Sequence, residues 1–219
     1  MKKHVLCLGD SNTHGYCADP TDCADGGIRF NEEERWTCLL EQYLGNEYRV
    51  MEEGLSGRTT VFDDPLFEGL NGLSAITQCL LTHEPVDLLI IMLGTNDTKA
   101  RFCCNAENIA KGLERLAGKA MSTTGAFRSG PRLLLIAPAP IEEGYASTSA
   151  ANEMGPGCVE KSRQLAFWYE DLAKRIGCSF LDAGAIDGIR MHPNDYMHLD
   201  KKSHELLARA LAELIPSII

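Results

Sequence analysis

No segment of the chain carries the roughly 20 consecutive apolar residues that a membrane-crossing helix needs, so a membrane partner is not expected. The apolar stretch after Lys2-Lys3 is interrupted at Gly9-Asp10, before the roughly 7–15 residues of a secretory leader core, and no leader is expected. Positive charge is scarce. With 21 Lys and Arg against 31 Asp and Glu the formal charge is −10, and without a dense basic stripe such a surface repels phosphate backbones and anionic lipid. Nucleic acid is therefore excluded as an expected partner. The nine cysteines include no Cys-x-x-Cys pair, and their scatter fits small buried hydrophobes of a reducing compartment better than a disulfide framework. A cytoplasmic location is the expectation. No Gly-x-Gly-x-x-Gly follows the first apolar run and no His-Glu-x-x-His occurs, which removes the dinucleotide fingerprint and the common zinc-hydrolase helix. Repeats and low-complexity segments are absent as well.

What is present is a strand and helix alternation. Apolar runs at 4–9, 48–52, 86–93, 132–137 and 178–182 have strand character, and the unbroken run from Val86 to Leu93 implies burial on both faces. Between them, apolar residues recur at spacings of three and four: Trp36, Leu39, Leu40, Tyr43 and Leu44; Leu73, Ile76 and Leu80; Ile109, Leu113 and Leu116; Leu165, Trp168 and Leu172; Leu207, Leu211 and Leu214. Each stripe puts one helical face toward a core. Asn31 with Glu34 three residues on offers a cap to the helix that contains Trp36. Because parallel strands need crossover connections, the pattern predicts a three-layer α/β/α sandwich around a mostly parallel five-stranded sheet. The 219 residues suit a single domain, 1–219.

Such a sheet binds ligands beyond the carboxyl ends of its strands, and Ser11, Gly54 and Asn96 each closely follow a strand segment. One edge of the fold therefore gathers them. A serine hydroxyl needs a base to become a nucleophile. His198 is the natural choice, because Asp195, three residues before it, can orient the imidazole and stabilise its charged form. His14 and His192 are rivals that read as loop residues, while His4, His83 and His204 read as surface positions of strand or helix. The oxyanion formed by attack on a carbonyl needs fixed donors, and the backbone N–H groups of Ser11 and Gly54 with the side-chain amide of Asn96 are available. Taken singly, Gly54 as a turn residue and Asn96 as a helix cap are the simpler readings.

Taken together, Gly9-Asp10-Ser11, Gly54, Gly94-Thr95-Asn96-Asp97 and Asp195-x-x-His198 resemble, in order and placement, the signature blocks of the SGNH hydrolases, or GDSL-type esterases and lipases. Asn12 departs from the usual leucine after the serine. The stretches Glu52–Thr60 and Ile91–Lys99 are similar to a bacterial arylesterase and acyltransferase branch. The resemblance implies a flavodoxin-like SGNH fold and a serine esterase with no metal or organic cofactor, acting on small acyl esters with acyl transfer to alcohols open to it, and forming a homo-oligomer. Its residues are Ser11, Asp195 and His198 for catalysis, and Ser11, Gly54 and Asn96 for the oxyanion hole.

Two alternatives stand beside it. His192, Asp195, His198 and Asp200 lie within nine residues and could serve a metal-dependent hydrolase, and the same fold could be a non-catalytic binding module. A cysteine nucleophile at Cys7, Cys103 or Cys104 lacks a supporting motif. Two long connections, 14–29 and 139–158, leave the edge that carries Ser11 and are expected to wall the pocket. Neither is dominated by apolar residues, so a small ester is expected rather than a long-chain lipid.

Overall fold

The computed structural model describes all 219 residues, Met1–Ile219. Five strands alternate with helices: β1 (Lys3–Gly9), α1 (Ser11–His14), α2 (Trp36–Leu44), β2 (Tyr48–Gly54), α3 (Gly72–Thr82), β3 (Leu88–Met92), α4 (Ala106–Met121), β4 (Leu133–Ala137), α5 (Ala150–Met154), α6 (Cys158–Ile176), β5 (Ser179–Asp182) and α7 (Lys201–Leu214). All strand pairs are parallel, in the order β2-β1-β3-β4-β5. The expected three-layer architecture is what the chain adopts.

Strand alternation decides which residue feeds which layer. Leu6, Leu8, Leu89, Ile91, Leu133 and Leu135 turn to one face, where Ile76 and Leu80 of α3, Leu113 and Leu116 of α4, and Leu165, Tyr169 and Leu172 of α6 cover them. Val5, Cys7, Leu88, Ile90, Leu134 and Ile136 turn to the other, under Trp36 and Leu40 of α2 and Leu207 and Leu211 of α7. Every residue of β3 and β4 is buried, as two covered faces require. Burying each Leu or Ile side chain contributes roughly 1.5–3 kcal/mol, so these two clusters are the main source of stability.

Two local expectations are corrected. The Asn31/Glu34 reciprocal cap does form, Asn31 Oδ1 accepting from the Glu33 N–H and Glu34 Oε2 from the Asn31 N–H, but it closes a turn ahead of α2. That helix starts at Trp36 without a side-chain cap from Arg35. Its first N–H instead donates to His204 Nδ1 at 3.2 Å, so His204 is a fully buried joint between α2 and α7 rather than a surface residue. The 139–158 connection carries structure of its own, a turn of 3-10 helix at Glu143–Ser147 and then α5.

Candidate active site

At the carboxyl edge of β1 the chain passes from Gly9 straight into α1, with Asp10 as its cap. Asp10 Oδ1 accepts from the Asn12 N–H at 3.0 Å. Burial pushes the Asp10 carboxyl up to about 6, against the pull of that N–H and of His198. Ser11 is thereby presented at the first turn of a short helix packed against the end of β2. Gly54 is required there because a Cβ on it would lie 2.2 Å from the His14 nitrogen. Its need is close backbone approach, not a turn.

The C-terminal loop brings His198 against Ser11. Tyr196 adopts a positive φ of 59°, and the chain then folds back so that Asp195 Oδ1 accepts from the N–H groups of Met197 and His198, each at 3.0 Å. Asp195 Oδ2 lies 2.6 Å from His198 Nδ1, and His198 Nε2 lies 2.8 Å from Ser11 Oγ. A carboxylate only accepts, so Nδ1 carries the proton and Nε2 is left to receive the Ser11 O–H. Burial alone would raise the Asp195 carboxyl. The hydrogen bond and charge of His198, joined by the two backbone N–H groups, outweigh it and hold the carboxyl below its ordinary 3.8. The Tyr16 ring packs on the imidazole, with centroids 4.3 Å apart.

Asn96 comes from the end of β3. Gly94 has a φ of 127°, and a Cβ there would meet the Tyr169 hydroxyl at 2.3 Å, so only glycine passes between β3 and the turn at Asn96–Thr98. The Asn96 side chain is not a helix cap. Its amide donates to the Arg58 carbonyl at 3.2 Å, which leaves its second N–H free to serve a ligand. Asp97 is fully buried beside it, accepting from the Thr60 N–H and hydroxyl, and burial pushes its carboxyl up to about 6.

A cavity of about 250 Å³ opens over these groups, and Ser11, His198, Asn96, Tyr16, Phe67 and Met154 are among its lining residues. Three of the sequence-predicted residues therefore share one chamber. Asp195 stands behind His198, and Gly54 stays at the strand end, outside the lining. The expected walls are only half correct. The first long loop contributes Tyr16 and the second Glu153 and Met154, whereas Ser56, Gly57, Phe67 and Leu70 come from the segment after β2. Part of that segment, Glu52–Thr60, stands out in the sequence only through the family resemblance and not as a wall, because it carries no periodic signal. Its polar anchors are long-range: Arg101 pairs with the buried Asp64 at 2.8 Å and with Glu153 at 2.5 Å.

The rival sites do not assemble. His192 Nε2 meets Asp22 at 2.9 Å, Asp200 caps α7 through the Ser203 N–H at 2.7 Å, and no group of three or more His, Cys, Asp or Glu side chains is placed to hold a metal ion. His14 lies against Gly54 with its carbonyl bonded to Arg29. Cys7 is buried within β1.

Comparison with known proteins agrees with this geometry. Residues 7–206 match the GDSL-like lipase/acylhydrolase family. Among solved structures, the aryl esterase of M. smegmatis is 36% identical with a TM-score of 0.89, covering 99% of this chain and 100% of its own. A carbohydrate acetylesterase from Sinorhizobium meliloti is 34% identical with a TM-score of 0.88, covering 100% of both. The structure of a putative arylesterase from Agrobacterium tumefaciens is 36% identical with a TM-score of 0.84, covering 99% of this chain and 100% of its own. No curated protein sequence matches. The Ser11 turn after β1, the Asn96 turn after β3 and the Asp195-x-x-His198 loop all fall within the matched residues, and the chain belongs to the GDSL-like lipase/acylhydrolase family of carboxylic ester hydrolases.

Proposed function

We propose that the chain hydrolyses small acyl esters through an acyl-enzyme on Ser11. The observation that carries this reading is the Asp195–His198–Ser11 relay, at 2.6 and 2.8 Å, opening into the cavity. Both separations lie within the reach that proton transfer requires. Ser11 Oγ attacks the ester carbonyl carbon as its proton passes to His198 Nε2, and Asp195 stabilises the resulting imidazolium. The oxyanion is met by the Ser11 N–H and the Asn96 amide; Gly54, expected as a third donor, lies outside the cavity lining, and the Leu55 N–H beside it is the one turned toward β1. His198 then returns the proton to the departing alcohol oxygen. Water attacks the acyl-enzyme, gives its proton to His198, and Ser11 recovers it as the acid leaves. No metal or organic cofactor enters these steps.

The size of the cavity supports a short acyl group, and its Phe67, Leu70, Met154 and Met197 walls favour an apolar one. The relatives' descriptions, an aryl esterase and a carbohydrate acetylesterase, support acetyl-sized acyl groups on an aromatic or sugar alcohol. An alcohol in place of water at the second step gives acyl transfer. A panel of p-nitrophenyl esters from acetyl to decanoyl, run beside acetylated sugars with wild type and Ser11→Ala, tests the reading. A maximum at acetyl to butyryl that disappears in the variant is expected, and a steady rise toward decanoyl would overturn it. Adding an alcohol and measuring the new ester against the free acid gives the transfer share.

Assembly as a homo-oligomer is part of the same reading, supported by Phe67 standing exposed on the cavity wall, with Leu55 and Leu66 exposed on the same segment after β2. Sedimentation velocity tests it, a monomer at working concentration being the adverse result. All nine cysteines are free, which supports a reducing, cytoplasmic setting. No helix is long and apolar enough to cross a membrane.

A further inference from the structure

We infer that Asn12 is a positioning residue that holds His198 in line with Ser11. The inference rests on the Ser11 and His198 roles proposed above. Asn12 follows the nucleophile and is buried. Its side-chain Oδ1 accepts from the Leu199 N–H at 2.8 Å and its Nδ2 donates to the Met197 carbonyl at 3.2 Å. One amide thus grips the backbone on both sides of His198. Asn12 is itself fixed from below, its N–H on Asp10 Oδ1 and its carbonyl accepting from Trp36 Nε1 at 3.0 Å. Together with the Ser11–His198 bond these contacts close a ring in which nucleophile and base stand on neighbouring rungs.

The loop needs such a grip. It carries a positive φ at Tyr196, and although the His192 N–H and carbonyl and the Tyr196 carbonyl take backbone partners, the Met197 carbonyl and the Leu199 N–H on either side of His198 have none. The groups presented by residues 197 and 199 are one carbonyl and one N–H, which require a partner that both donates and accepts. Among side chains of this size only asparagine supplies both in a plane. The leucine usual at this place in GDSL sequences supplies neither, so in this chain the alignment of the base depends on a contact that such a sequence lacks. A misplacement of about 1 Å costs on the order of 100-fold in rate.

The test compares Asn12→Asp, Asn12→Leu and Asn12→Ala with wild type on p-nitrophenyl acetate, in the His198 and His198→Ala backgrounds. Asparagine to aspartate preserves size and the acceptor for the Leu199 N–H while removing the donor to Met197, so it keeps the test readable if the apolar variants fold poorly. The expected result is a fall in kcat of about 10- to 100-fold with KM changed less than about twofold, smaller for aspartate than for leucine. The far-downfield proton resonance of His198 Nδ1 should shift or broaden. In the His198→Ala background the same substitutions should leave the residual rate unchanged, because nothing remains to be positioned. An Asn12→Asp enzyme with wild-type kcat and an unmoved resonance would overturn the inference, as would equal losses with and without His198. Undiminished activity in Ser11→Ala would instead sink the underlying assignment of the nucleophile.

Discussion

Ser11 and His198 act as a unit in the proposed mechanism, so Ser11→Ala and His198→Ala should each remove nearly all esterase activity while the circular dichroism spectrum is kept. Asp195→Asn keeps the shape but no longer fixes the proton on Nδ1, and its kcat should fall by roughly 10⁴. Asn96→Ala should behave differently, lowering kcat by about 10²–10³ with little change in KM, because the oxyanion exists only after attack. Steady-state kinetics separates the two patterns, and a KM-dominated loss for Asn96→Ala would speak against its role as an oxyanion donor. Gly54 gives no comparable readout. A Cβ there strikes the His14 backbone at 2.2 Å, so an alanine variant disturbs the nucleophile turn whatever its N–H does. Ser11, Asp195 and His198 were legible as candidates because their types and order fit the proposed chemistry. Asn12 was not, since its partners are the backbone of residues 197 and 199, and backbone groups leave no mark on a sequence.

Among the elements, α5 is the one whose position the sequence left open. Five residues cannot hold a helix in water by themselves, and α5 is fastened by Met154, buried among Ile141, Val159 and Met197, and by Glu153. The Glu153 carboxylate meets Lys99 at 2.9 Å and Arg101 at 2.5 Å, and its carbonyl accepts from Arg101 at 3.0 Å. Glu153 is 44% exposed, so the pairs contribute little to global stability, within about 1 kcal/mol. Their effect should be local. Glu153→Gln is expected to leave the melting temperature within a few degrees of wild type while loosening the cavity wall, raising relative kcat/KM for hexanoyl over acetyl esters. An unchanged chain-length profile would show that α5 does not limit the acyl pocket. The strands and five long helices were readable from periodicity, since a stripe that must be buried repeats along the element itself. The start of α2 was misplaced for the opposite reason: its cap is His204, on α7, 168 residues away in sequence.

At the scale of the whole molecule, acid stability should carry the signature of that same joint. Burial, with the charges of His198 and Arg35, depresses His204 from its ordinary 6.5 to about 3. Below 6.5 the unfolded chain takes up a proton that the native state refuses until about 3, so this stability is fully present above 6.5 and lost as pH falls toward 3. Asp10 and Asp97, raised from 3.8 to about 6, act in the other sense, their contributions being present below 3.8 and lost as pH rises through 6. His204→Gln isolates the first effect. The stability difference between wild type and variant should be greatest above pH 7 and shrink by up to about 1.4 kcal/mol per pH unit below 6.5; a constant difference in urea melts from pH 8 to 4.5 would refute it. The sequence by itself determined the layered α/β fold, the order of its elements and the residue types available for the proposed nucleophile, acid and base, because burial periodicity and side-chain type are properties of the chain read locally. Only the tertiary structure decided which segments wall the cavity, that Gly54 stands outside it, and how Asn12 and His204 lock distant elements together. Those outcomes depend on contacts between residues far apart in the chain, whose partners are backbone atoms and oppositely charged side chains that no local pattern pairs.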